Sequence, residues 1–399
     1  MKPVRVEPMS SDPAPIPNPS ADEPSGPSGP SRVRVALIFG GRSSEHAVSC
    51  STAASVLQAI DRDRYDVVPI GITTGGAWVL EADDPGRLAL TPTTTPQVDV
   101  NARPVVLRTD PARGELIQLD PVDGASSLAG VDVVFPLLHG PFGEDGTLQG
   151  LLEMAGMRYV GGGVLSSAVA MDKAFAKVVL AGAGLPVTPY TVFRIAQWRA
   201  DPAPIAEAVV GLGYPVFVKP ARGGSSLGIR KVHGPEGLAD ALEFAATYDP
   251  KVLVEAAVER AREIECGVLE RLDRRGLDTS PVAEIVVGEH VEFYDFAAKY
   301  LSTEEQVALR VPAILPDGVA EKVQELAAAA FAAIDGEGLA RVDFFLTAGG
   351  ELLVNEVNTL PGFTPLSMFP RMWAHTGLGY ADLVDRLIRL ALARPSGLR

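Results

Sequence analysis

With 399 residues, 47% of them hydrophobic, the chain is long enough to bury a large core and to divide into two or three domains. Its formal net charge of −15 argues against nucleic acid as a main partner, because phosphate backbones are bound by basic surface, so an anionic ligand must meet locally placed lysines. Cys50 and Cys266 match no metal spacing, which disfavours a disulfide framework and makes a reducing cytoplasm the expectation. The run LAAAAFAAI is far too short for a membrane span, and the N-terminus lacks the apolar core of a signal peptide.

Residues 1–31 carry nine prolines and six serines with almost no large apolar side chain, a composition expected to form a disordered tail. VRVALIFGG then reads as a buried strand. HAVSCSTAASVLQAI follows with helical spacing at Ala47, Cys50, Ala54 and Leu57, so strand, glycine turn and helix open a parallel α/β unit. DVVPIGI and VDVVFPLLHG continue the sheet, residues 84–112 are expected to be an irregular surface excursion, and GTLQGLLEMAG a helix ending at glycine. A second unit is expected from residue 166, with SSAVAMDKAFAKVVLAGAG as a helix and YTVFRI, PVFVKP, GIRKV and KVLVEAAV as strands. A third, from residue 258, holds ECGVLE, VAEIVV, a loop over 288–302, an alanine-rich helix over 321–334, a hairpin and the closing helix ADLVDRLIRLALA.

The hairpin carries the densest chemistry. Runs over 339–346 and 351–357 flank Gly349 and Gly350, a pair suited to the positive φ angles of a tight turn. With that turn, Asp343 lies opposite Glu356 and Arg341 opposite Asn358, and Glu356 and Asn358 share a face. Such oxygen ligands suit Mg²⁺, which is held by one or two carboxylates plus substrate phosphates, so the hairpin calls for a nucleotide. A solvent-facing acidic edge is the alternative, but it fits poorly inside runs as apolar as VDFFL and ELLV. ARGGSSLG, between two strands, offers the backbone of Gly223 and Gly224 and the hydroxyls of Ser225 and Ser226 to phosphates, and Lys219 and Lys173 add point charges. It matches neither GxxxxGK[ST] nor GxGxxG, which rejects P-loop and Rossmann readings of that motif. Glu45 in GGRSSEH follows the first strand, where ligands of open α/β sheets bind; it either pairs with a substrate ammonium or simply complements the helix dipole. His139 ends the next buried strand, as a ligand contact or as a structural hydrogen-bonding group.

GGRSSEH, LLHGPFGEDGT, AMDK, ARGGSSLG, FYDFAAKY, RVDFFL and NEVNTLPGFTPLS, in that order from about Val33 to the C-terminus, resemble the motifs of D-alanine:D-alanine ligases of the ATP-grasp superfamily. The resemblance implies a three-domain α/β ATP-grasp architecture. An N-terminal parallel, Rossmann-like substrate domain (32–165) would precede a central lobe (166–257) and a C-terminal lobe (258–399) bearing a lid loop and the metal hairpin, the two α+β lobes enclosing ATP. The implied activity is ATP-dependent condensation of two D-alanines through an acyl phosphate, for peptidoglycan precursor synthesis in the cytoplasm. Two Mg²⁺ (or Mn²⁺) ions would sit on Asp343, Glu356 and Asn358. ATP would be held by Lys173, Lys219, Gly223, Gly224 and Ser226, with Glu255 near the base, Glu263 on the ribose and the lid residue Lys299 on the transferred phosphate. One extra residue between the two glutamates leaves Glu265 as an alternative ribose ligand. Glu45 would hold the first D-alanine's amino group beside His139, and Tyr300 would reach Ser225 and Glu45 to close the site. Arg341 and the amide of Gly362 would stabilise the tetrahedral oxyanion, and Ser367 would bind the second carboxylate. Phe296 stands where the family often has tyrosine, and no histidine lies between Glu292 and Glu305, which favours an amide over a D-lactate ester. The alternatives are another ATP-grasp carboxylate–amine ligase and a non-catalytic relative; a homodimer is compatible with the sequence.

Overall fold

A strand that is apolar on both faces has to be covered on both, and β1 (Val33–Gly40) is. Val35, Leu37 and Phe39 pack with the helix His46–Ala59, whereas Ala36 and Ile38 pack with the helix Thr147–Met154 on the opposite face. The computed structural model describes residues 32–91, 94–111, 115–120, 122, 124–287 and 307–395. The tail over 1–31 and the lid motif with Phe296, Lys299 and Tyr300 lie outside the described residues.

β1 belongs to a seven-stranded sheet with β2 (Tyr65–Ile72), β3 (Trp78–Leu80), β4 (Arg103–Leu107), β5 (Glu115–Asp120), β6 (Gly124–Gly130) and β7 (Val133–Pro136), in the order β6-β5-β4-β3-β2-β1-β7. Only β2, β1 and β7 run parallel; the rest add on antiparallel. This corrects the expectation for residues 84–112, which contain the short helix Pro85–Leu88 and β4 and bury Val98 to 4% exposure. The strand escaped notice because Val105 is the one buried side chain of RPVVL, too weak a period-2 signal to stand out.

A four-stranded antiparallel sheet, β10-β9-β11-β8, follows, built from β8 (Tyr190–Arg194), β9 (Val216–Pro220), β10 (Arg230–Val232) and β11 (Lys251–Ala256). The third sheet has six strands: β12 (Arg262–Glu270), β13 (Leu277–Thr279), β14 (Ala283–Val287), β15 (Val307–Arg310), β16 (Leu339–Leu346) and β17 (Leu352–Asn358). Its order is β15-β14-β12-β16-β17, with β13 beside β12. The helix Val319–Ala333 presents Val323, Ala327, Ala330 and Phe331 to the core of this sheet, its alanines allowing a close approach. The C-terminal helix Tyr380–Leu392 returns to the N-terminal sheet, where Tyr65 Oη donates to Asp385 at 2.6 Å.

The single helix expected from residue 166 is two, Val164–Met171 and Lys173–Gly182, parted at Asp172, whose ψ of 98° is extended. Apolar spacing runs through the break and hid it. The carboxylate of Asp172 accepts from the backbone N–H groups of Ala174 (3.1 Å) and Phe175 (3.2 Å), capping the second helix. It also pairs with Lys251 at 2.8 Å. Lys173 is therefore the first residue of its helix.

In the hairpin, Arg341 faces Asn358 and Asp343 faces Glu356, as expected, but the turn differs. Gly350 alone has positive φ (+86°), and Thr347 accepts from the N–H of Gly350 at 3.0 Å while donating to Glu351 O at 2.9 Å. That is a three-residue loop with a left-handed third position, which shifts the near register by one residue. A bulge at Asn355, between the pairs Phe344–Val354 and Asp343–Glu356, takes the shift back.

Asp172→Ala removes a helix cap and an ion pair together. It should lower unfolding free energy by about 1–2 kcal/mol in urea titrations, and an unchanged midpoint would show that the cap contributes nothing.

Candidate active site

The bulge keeps Asp343, Glu356 and Asn358 grouped at one end of the β16–β17 pair. Arg341 grips both oxygens of Asp343 at 2.7 Å, and Asn358 Nδ2 donates to Asp343 Oδ2 at 3.0 Å. Burial alone would favour a neutral guanidine at Arg341, but the charges of Asp343 and Glu265 outweigh it and push its pKa well up. Lys173 Nζ lies 3.4 Å from Glu356 and donates to the carbonyl of Gly223 at 2.8 Å, so one ammonium joins the hairpin to the glycine-rich loop. Among the described residues no three His, Cys, Asp or Glu side chains form a ready-made metal cage. The hairpin instead offers two carboxylates and a carboxamide, a hard-oxygen set that fits Mg²⁺ completed by phosphates and water.

The loop after β9 holds Ser225 at φ +50° and Ser226 at φ +57°, left-handed conformations costly for residues with a Cβ and concentrated at functional sites. A Cβ on Gly224 would stand 3.3 Å from Glu45 Oε2, a tight contact with the end of a flexible side chain, so glycine keeps this approach open. Ser225 Oγ donates to Glu45 Oε1 at 2.5 Å, a charge-assisted bond joining this loop to the turn after β1. Glu45 itself occupies the N-cap position of the helix His46–Ala59.

His139 is nearly buried, and burial lowers its pKa against the opposing pull of Glu45, leaving a neutral imidazole; the backbone of Leu360 hydrogen-bonds it. Ser367 Oγ accepts from Thr364 N at 3.1 Å, and a Cβ on Gly362 would lie 3.2 Å from it, so the NTLPGFTPLS loop folds back on itself at the cleft wall. A single cleft of about 700 Å³ is lined by Glu45, His139, Lys173, Lys219, Gly223, Gly224, Ser225, Ser226, Glu263, Arg341, Asp343, Glu356, Asn358, Gly362 and Ser367.

Glu255 is not on that lining. It is 2% exposed, with Lys219 at 2.9 Å and Lys177 at 3.1 Å, one layer behind the surface that meets a ligand. Glu263 and Glu265 both line the cleft, but Glu265 stands opposite Asp343 and 3.3 Å from Arg341, while Glu263 lies one inward-facing position further from the hairpin carboxylates. Sequence reasoning missed Glu144 and Lys177. Glu144 lines the cleft and accepts from Gly140 N at 2.6 Å; its position in the turn after His139, within HGPFGEDG, was the available signal.

Two antiparallel lobes that set a glycine-rich loop across a cleft from a carboxylate hairpin define an ATP-grasp enzyme. Family models described as the D-ala D-ala ligase N-terminus and C-terminus match residues 34–162 and 179–389, so the chain belongs to the D-alanine–D-alanine ligase family. A D-alanine–D-alanine ligase of Arthrobacter sp. is 56% identical over 373 residues, 93% of this chain and 97% of that protein. One from Kineococcus radiotolerans is 57% identical over 375 residues, 92% of this chain and 99% of its own length. Among solved structures, the VanG D-Ala:D-Ser ligase from Enterococcus faecalis superposes with a TM-score of 0.78 at 35% identity, covering 90% of this chain and 100% of that one.

Burial and the neighbouring Glu45 push the Glu144 carboxyl from an ordinary value of 4.5 up to about 8. Between those values the folded protein keeps a proton that the unfolded chain has released, so this contribution to stability is complete below about pH 4.5 and lost as pH rises through about 8. Thermal melts of the ligand-free protein should fall over that interval, and the neutral variant Glu144→Gln should flatten the fall; identical pH slopes in both would contradict the assignment.

Proposed function

We propose that this protein joins two D-alanines to D-alanyl-D-alanine at the expense of ATP, releasing ADP and phosphate, in the cytoplasm and for peptidoglycan precursors. What supports the reading is the convergence of an ammonium-binding carboxylate, a phosphate loop and a metal-type hairpin on one cleft, in a chain more than half identical to ligases of that name. No helix among the described residues is long and apolar enough to cross a membrane. In this reading residues 32–165 form the substrate domain, 166–257 the central lobe and 258–399 the C-terminal lobe.

The roles follow from charge and position. The loop over 223–226 takes the ATP phosphates, with Lys173 and Lys219 as counter-charges, and Glu263 takes the ribose. Asp343, Glu356 and Asn358 would hold Mg²⁺, which when bound spreads the negative charge of the transferring phosphoryl group. Glu45 receives the ammonium of the first D-alanine beside the neutral His139, which orients its carboxylate towards the γ-phosphate. Attack there breaks the bond between the γ-phosphoryl group and ADP, which leaves, and forms an acyl phosphate without any protein nucleophile. The second D-alanine, its ammonium having released a proton, attacks the carbonyl carbon as the free amine; Arg341 and the N–H of Gly362 donate to the oxyanion, the bond from carbon to the phosphate oxygen breaks, and phosphate departs. Ser367 binds the second carboxylate. Lys299 on the transferred phosphate and Tyr300 over Ser225 and Glu45 are assigned from the family resemblance alone.

The test is phosphate release with Mg-ATP and D-alanine, alone and in competition with D-serine or D-lactate, with products resolved by mass. D-alanyl-D-alanine should predominate in every mixture at pH 7. No D-alanine-dependent phosphate, or a majority of mixed D-serine or D-lactate product, would overturn the reading; light scattering in the same buffer decides between monomer and homodimer.

Removing one charge from the hairpin by Glu356→Gln should reduce turnover on the order of 100-fold or more with unchanged circular dichroism. Near-normal activity at saturating Mg²⁺ would remove Glu356 from the metal set.

A further inference from the structure

The helix Lys173–Gly182 carries two lysines one turn apart with different surroundings. Lys173 lines the cleft, whereas the Lys177 side chain is 2% exposed and faces inward. Its ammonium donates to Thr188 Oγ1 at 2.6 Å and lies 3.1 Å from Glu255 Oε2. The other oxygen of Glu255 receives Lys219 at 2.9 Å. Burial works against charge on Glu255, yet the two lysines prevail and hold its pKa below the ordinary carboxylate value.

Two ammonium groups thus share one carboxylate; burial lowers the Lys177 pKa and the Glu255 carboxylate opposes that shift, and with all three ionised the side chains together carry one positive charge. A surplus charge at a nearly buried site is unfavourable unless an anion answers it. Of the three members of the cluster, Lys219 is the one that lines the cleft, so it is where an anion from the ligand side can do so.

We propose that Lys177 is a positioning residue for the nucleotide: by occupying one oxygen of Glu255, it keeps Lys219 from being neutralised in a closed ion pair and leaves the Lys219 charge available to a polyphosphate in the cleft. The inference rests on the reading of Lys219 as a phosphate ligand. Without Lys177, both oxygens of Glu255 are left to Lys219, and the lysine gives up charge that ATP would otherwise use. A lysine that merely filled space would be replaceable by methionine at no cost to nucleotide binding.

The experiment compares Lys177→Met, Lys177→Arg, Lys219→Met, Glu255→Gln and the double variant Lys177→Met with Glu255→Gln, measuring KM for ATP, KM for D-alanine, kcat and thermal melting of each. Lys177→Met should raise KM for ATP about tenfold while KM for D-alanine stays within about twofold, and Lys177→Arg should recover most of the loss. The double variant should bind ATP no worse than Glu255→Gln alone, because without the carboxylate Lys177 has nothing left to offset. If Lys219→Met raises KM for ATP and Lys177→Met does not, the inference fails and the nucleotide assignment stands. If neither changes it, the assignment of Lys219 fails and the inference with it. Parallel changes in both KM values, tracking a lowered melting temperature, would mark a purely structural lysine and also overturn the proposal. Should Lys177→Met not fold, Thr188→Val loosens the same ammonium and should raise KM for ATP about threefold, with no change counting against the proposal.

Discussion

The opposition of Asp343 and Glu356 across β16 and β17 forces two carboxylates together in a protein that is already acidic, and the cleft is arranged around satisfying them. Like charges on facing strand positions repel, so each needs a cation close by. Arg341 serves Asp343 from two positions back on the same strand, and Lys173 serves Glu356 from the first turn of a helix whose Leu180 packs in the core of the same sheet. The same Lys173 holds the carbonyl of Gly223, so the charge balance of the hairpin also sets where the phosphate loop sits. A triphosphate arriving with its metal brings both signs of charge, and the cations that serve the hairpin carboxylates are then available to phosphate oxygens. The cleft is preorganised for such a ligand because its counter-charges are already in place.

Packing between the ends of the chain holds the two halves of the cleft in register. The C-terminal helices share a core with β1 and β7, and the guanidinium of Arg394 donates to the carbonyls of Tyr159 and Gly161, at the segment leading out of the N-terminal sheet. The turn after β1 that carries Glu45 therefore has a rigid base. Its bond from Ser225 then ties that turn to the glycine-rich loop.

Hard constraints were legible in the sequence and compensating ones were not. The continuous apolar runs of β1 and β7, and the polar residues inside VDFFL and ELLV, fixed which groups share a face, because side-chain alternation leaves little freedom. The Asp343–Glu356 pairing was anticipated from a two-residue turn. It arises from a longer turn whose one-residue shift is cancelled by the bulge at Asn355, and no local pattern announces either half of that cancellation. The break at Asp172 was hidden by apolar spacing that continues across it, although aspartate is itself an N-cap residue. Lys177 was passed over because nothing in a linear sequence distinguishes a lysine buried against Glu255 from one in solvent, whereas Glu144 left a signal in its place in the turn after His139.

The central claim is that the hairpin's two carboxylates and one carboxamide are the metal site that makes this cleft a nucleotide site. Anomalous diffraction from crystals grown with Mn²⁺ and a non-hydrolysable ATP analogue tests it most directly. The account predicts manganese peaks within coordination distance of Asp343, Glu356 and Asn358, with the analogue's phosphates along residues 223–226. Peaks elsewhere, or phosphates bound away from that loop with Arg341 still gripping Asp343, would contradict it.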